Sequence, residues 1–221
     1  MKRWILIGGT MLMIIAAGAF GAVNRKTYTE ITKEKNYLEQ LQVAEIPGEL
    51  AVSSCSEMEK NLPTLPIILR VQFLDEVEYL FGTSRQKVCV QEVYAGDSFQ
   101  KGDVVYVTAG WNVVAEDGGG TAELGFVNLP KADSDYLIFV SGELEPFDKS
   151  LPVYQIYDET PITPIFAYEE VENLVVPVGE ESTYVPYTEV EENEFFSTSE
   201  EGMNAWKKLK GKMLEAYPKG L

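Results

Sequence analysis

Hydrophobic positions along this chain change their period three times, and each change marks a different kind of element. Residues 4–23 run without a charge from Trp4 to Val23, bracketed by Lys2 and Arg3 before and Arg25 and Lys26 after. As a helix, 20 such residues would reach about 30 Å, the thickness of a bilayer's hydrocarbon core. This predicts a transmembrane helix over residues 4–23 inside an anchor spanning 1–26. Signal peptides carry shorter apolar regions, so a retained anchor is favoured; a cut after Ala19 or Gly21 would instead release the chain. Residues 27–46 place Tyr28, Ile31, Leu38 and Leu41 among alternating charges at helical spacing, and Pro47-Gly48 breaks that stripe. A second short helix is predicted over 49–61, stopped by Asn61 and Pro63. Residues 27–64 therefore read as a helical stalk or linker.

From Leu65 the period falls to two. Short β-rich runs punctuated by turns occupy residues 67–73, 86–94, 104–109, 124–129, 136–141, 153–157 and 165–168. Residues 174–178 and 183–187 are flanked by proline and read as edge strands. In 86–94 the apolar alternation slips between Val90 and Val93, which predicts a β-bulge. The glycine-rich 115–121, AEDGGGT, reads as a loop tip. The expected fold class is thus mainly β, an OB-like barrel or sandwich over residues 65–195. The last element, within 196–221, returns to helical spacing: Ser199 is a good N-cap, and Met203, Trp206, Leu209, Met213 and Tyr217 share one face. This predicts a C-terminal amphipathic helix.

VCVQEVYAGDSFQKGDVVYV (88–107) followed by GFVNLPKADSDYLIFVSGEL (125–144) resembles the small OB-fold, netrin-like β-barrel domains of exported proteins from Gram-positive bacteria. In those domains a strand leads through a V-Y/L-K-G turn to a second strand, then to a glycine and a YLxFL strand. Val93-Tyr94-Ala95-Gly96, Lys101-Gly102-Asp103 and Tyr136-Leu137-Ile138-Phe139 follow that order. The likeness covers about residues 67–145. Ala95 stands where a basic residue is usual, and residues 161–196 have no counterpart. The resemblance implies a barrel that binds through one face and its loops.

Charge narrows the partners. All 35 acidic residues follow Lys26 and four of the 18 basic ones precede Thr27, so the net charge of −17 understates the acidity beyond the anchor. Such a surface repels nucleic acid. Histidine is absent. That removes Ser-His-Asp and Cys-His catalysis, a sortase included, along with imidazole-bound zinc. Serine–lysine hydrolysis would need more than Ser53, Ser54 or the neighbours Lys149-Ser150 offer. The carboxylate groups Glu143/Glu145, Glu169/Glu170/Glu172 and Glu189/Glu191/Glu192/Glu194 lack EF-hand spacing and read as solvated acidic faces. No cofactor, metal or catalytic residue is expected. Cys55 and Cys89 could close a disulfide loop of about 35 residues, worth about 3 to 4 kcal/mol, or remain free thiols.

Aromatics near turns and strand ends are the remaining candidates for contact, chiefly Trp111, Tyr154, Tyr157 and Tyr184. The sequence therefore predicts a single-pass, membrane-anchored, extracytoplasmic binding or assembly module. Its partners would be the membrane, through residues 4–23, and an envelope protein or glycan. An accessory subunit docking through its C-terminal helix is the alternative, and a histidine-free hydrolase comes third.

Overall fold

A computed structural model describes residue 32 and residues 36–80, 83–116, 119–145, 151–176 and 183–220. The apolar run 4–23 and most of the stalk expected over 27–46 lie outside the described residues. Among the described residues no helix is long and apolar enough to cross a membrane.

The β-branched run IILRVQF forms β2 (Ile67–Phe73), followed by β3 (Glu78–Leu80), β4 (Thr83–Ala95) and β5 (Val104–Thr108). β8 (Asp135–Leu144) and β9 (Val153–Ile156) come later. β2 lies antiparallel between β4 and β8, β4 pairs antiparallel with β5, and β5 runs parallel to β9. β9 then returns antiparallel to β8, which closes a five-stranded barrel. The predicted bulge is present. Along β2, pairing passes from Ala95 to Val93 and from Glu92 to Val90, so Tyr94 and Gln91 are the extra residues of β4.

Alternation assigns the two faces of β2 and β8. Ile68, Leu137 and Phe139 join the cluster beneath the helices, so the buried Leu69, Val71, Ile138 and Val140 face the barrel interior. α1 (Gly48–Asn61) and α2 (Glu200–Ala216) pack side by side over that outer surface. Trp206 is stacked between Phe195 and Phe166, with ring centroids 4.7 and 4.8 Å away. Ser199 caps α2 by accepting from the Gly202 N–H at 3.1 Å. The two helices cross where Gly48 and Gly202 meet. β10 (Ile165–Ala167) extends the barrel sheet beside β8.

A smaller four-stranded sheet has the order β11 (Tyr184–Pro186), β1 (Gln42–Ala44), β7 (Gly119–Glu123), β6 (Asn112–Glu116). Three expectations change here. The described end of the stalk is no stalk, because Leu41, Val43 and Ile46 are buried and β1 is a central strand of this sheet. Within the supposed loop tip at 115–121, Ala115 and Glu116 pair with Gly120 and Gly119 in the β6–β7 ladder, and residues 117–118 lie outside the described residues. Residues 124–129 make only a bridge from Val127 to Phe195, because Gly125 and Phe126 both adopt positive φ and interrupt pairing.

Residues 171–176 form no strand either; asparagine side chains replace a ladder. Asn173 Oδ1 accepts from the Glu194 and Phe195 N–H groups at 2.7 and 2.9 Å. The Asn193 amide donates to the Leu174 carbonyl at 2.6 Å and accepts its N–H at 2.9 Å. Asn128 donates to the carbonyls of Glu191 and Asn193. An amide carries both donor and acceptor, so it can stand in for an absent strand.

Candidate functional site

Opposite the helices, the barrel wall made by β4, β5, β9 and β8 carries half-buried and exposed side chains on its outer face, with Arg85 buried among them. Val88 and Val90 are fully buried, so by alternation Arg85, Lys87, Cys89 and Gln91 of β4 face outward. Lys87 pairs with Tyr106, Tyr106 with Val153, and Val153 with Leu144. Paired residues share a sheet face, so these four form one continuous row across four strands. Cys89 pairs with Val104 in the adjoining row. Leu144 is 41% exposed and Val104 36%.

The cations on this face are held in place. The Arg85 guanidinium lies over the Tyr106 ring, 4.2 Å from its centroid, and its Nε is 2.7 Å from Glu78 of β3. Lys87 Nζ sits 5.5 Å from the same ring and 3.4 Å from Asp75. Asp75 also accepts the Lys87 N–H at 3.1 Å, and its carbonyl accepts from the Gln86 side chain at 2.6 Å. The β2–β3 connection is thereby pinned against β4. An aromatic ring capped by guanidinium, beside an apolar strip with charged edges, suits a protein contact. It offers no nucleophile–base pair.

The aromatics singled out from sequence do not converge here. Trp111 is 2% exposed and Tyr157 3%, so both rings belong to the core; the Tyr157 hydroxyl accepts from Asn61 at 3.1 Å. Tyr154 packs against Phe99, centroids 4.8 Å apart, and burial raises its phenol pKa. Tyr184 is exposed on β11 and donates to Glu123 at 3.0 Å. Arg85, Lys87, Val104, Tyr106, Leu144 and Val153 were missed. The signal available was the alternation of β4, whose outward positions include two cations in an acidic chain.

Cys55 and Cys89 are both free thiols. Cys55 lies in the cluster beneath the helices, where burial pushes its thiol up to about 12, and Cys89 sits on the outward face of β4. They belong to different layers, so the bridge allowed by the sequence is not formed. Glu194 is buried and engaged on both oxygens, by Lys210 and by the Ala167 N–H at 2.8 Å; burial raises its carboxyl pKa. Among the described residues no group of three or more acidic or cysteine side chains is placed to hold a metal. Ser53 is exposed and donates to the Leu50 carbonyl, while Lys149 and Ser150 lie outside the described residues. The apolar stripe of α2 is buried inside the domain, leaving Lys207, Lys208 and Lys212 outside. An apolar docking patch beside Trp206 is therefore absent among the described residues.

Compared with known proteins, the chain matches no family model, and no curated protein is significantly similar to it.

Proposed function

We propose that this protein is a membrane-anchored, extracytoplasmic binding module that holds a protein partner of the envelope on the outer face of β4, β5, β9 and β8. Numbered within the barrel alone, the strands follow the closed order 1-2-3-5-4-1, with the parallel pair between the third and fifth. This order supports an OB-like reading. In such barrels the second and third strands and the loops flanking them take the ligand. Here those strands are β4 and β5. Fold alone does not settle function. The observation that carries the proposal is the row Lys87–Tyr106–Val153–Leu144, with Arg85 over the tyrosine. Because Arg85 covers the ring, Tyr106 has less open face for stacking on a sugar, and a protein partner fits better than a glycan. The uncharged run over residues 4–23 supports the anchor.

A photo-cross-linking residue placed at Val153 of the full-length chain in cells tests this. A discrete adduct is expected at Val153 and, in a separate variant, at Val104, with none at Asn204 on the outer side of α2. Equal labelling at all three positions, or none at Val153 and Val104, would overturn the proposal.

A further inference from the structure

Glu45 follows β1 directly and is 1% exposed. Its backbone sits at a junction of three segments. The Glu45 N–H donates to the Thr183 carbonyl at 2.7 Å, and the Ile46 N–H donates to Phe196 at 3.0 Å. The Thr198 N–H returns to the Ile46 carbonyl at 3.1 Å. The side chain has no comparable support: neither carboxyl oxygen makes a well-formed hydrogen bond. A buried carboxylate so weakly supported is costly, and carrying a proton is the less costly state.

The surroundings reinforce this. Burial acts most strongly, raising the carboxyl pKa from 4.5 to about 7; the Val176 backbone favours the charged form and offsets part of that, and Glu189 adds like-charge repulsion. Glu189 belongs to the turn after β11. The other segments that meet here, residues 174–176, Thr183 and residues 196–198, contribute no titratable side chain.

We propose that Glu45 is a proton-operated latch: neutral, it lets Val176 and residues 183–190 lie closed on β1 and its end, and ionised beside Glu189 it loosens them. The sign follows from linkage. The closed state holds the proton more tightly than the open one, so closure is firmest at acid pH. Opening grows as pH rises from 4.5 to about 7 and levels off above that.

Amide hydrogen exchange on the full-length chain in detergent, corrected for intrinsic exchange, reads the opening directly. The sequence isoelectric point of 4.4 makes pH 5.5 to 8 the usable range. Across the rising part, from pH 5.5 to 7, the opening constant of Val176 and residues 183–190 should increase about fifteenfold, the closed-state carboxyl being half ionised at the upper end. β2 and β8 should show no such rise. Glu45→Gln should hold the low value throughout, and in Glu189→Gln the rise should level off at lower pH. A flat wild-type profile, or a rise retained in Glu45→Gln, would overturn the latch. Should Glu45→Gln fail to fold, an unshifted rise in Glu189→Gln would do the same.

Discussion

Gly202 and Gly211 are the same residue in the same helix, nine positions apart, and their roles are opposite. A methyl built on Gly202 would collide with the Ser197 hydroxyl and come 3.0 Å from the Ala51 methyl, whereas one on Gly211 meets nothing within 4 Å. The first glycine is there for the close approach of α1, and the second only weakens an exposed turn. Gly202→Ala should therefore destabilise by about 2 kcal/mol through overpacking. Gly211→Ala should stabilise by about 1 kcal/mol through helix propensity. Thermal unfolding followed by circular dichroism separates them: a rise in Tm for both would show that the Gly48–Gly202 crossing relaxes freely. The same contrast of position over identity holds for aromatics, since Trp111 is core while Tyr106 is half-exposed on the barrel wall.

At the scale of elements, the connection from β10 to α2 depends on side chains doing what strands do elsewhere. Asn173 Oδ1 serves two backbone N–H groups, at Glu194 and Phe195. Asn173→Ala would leave both donors without that acceptor, at a cost of about 2 kcal/mol. The expected result is a lower urea midpoint with an unchanged slope. An unaltered midpoint would mean that water replaces the amide at no cost. The Glu194 carboxylate ties the same connection to the barrel edge through the Ala167 N–H and to α2 through Lys210.

Over the whole molecule, closure between β8 and β9 decides the architecture, for without it the sheet would end in two exposed edges. Closure also separates the two outer surfaces: one is covered by α1 and α2, the other carries the Tyr106 row. The acidity of the chain beyond Lys26 belongs to this scale too, since it repels anionic surfaces. Protease added to intact cells is expected to remove full-length protein from the membrane fraction. Complete protection would place the acidic domain inside and end the envelope reading.

Local pattern was enough to place most strands, the bulge in β4, and the helices at 48–61 and 200–216, because each rests on periodicity within a dozen neighbouring residues. Pattern misled where backbone conformation or side-chain pairing overrode it, at Gly125-Phe126 and at 171–176. Alternation in β4 says that Arg85 and Lys87 oppose Val88 and Val90, yet not which face is covered. Only the folded chain brings Val153 beside Tyr106, through the parallel pairing of two strands distant in sequence. The burial of Glu45 has the same cause: its neighbours Thr183, Glu189 and Phe196 come from the far end of the chain, and no local signal marks it.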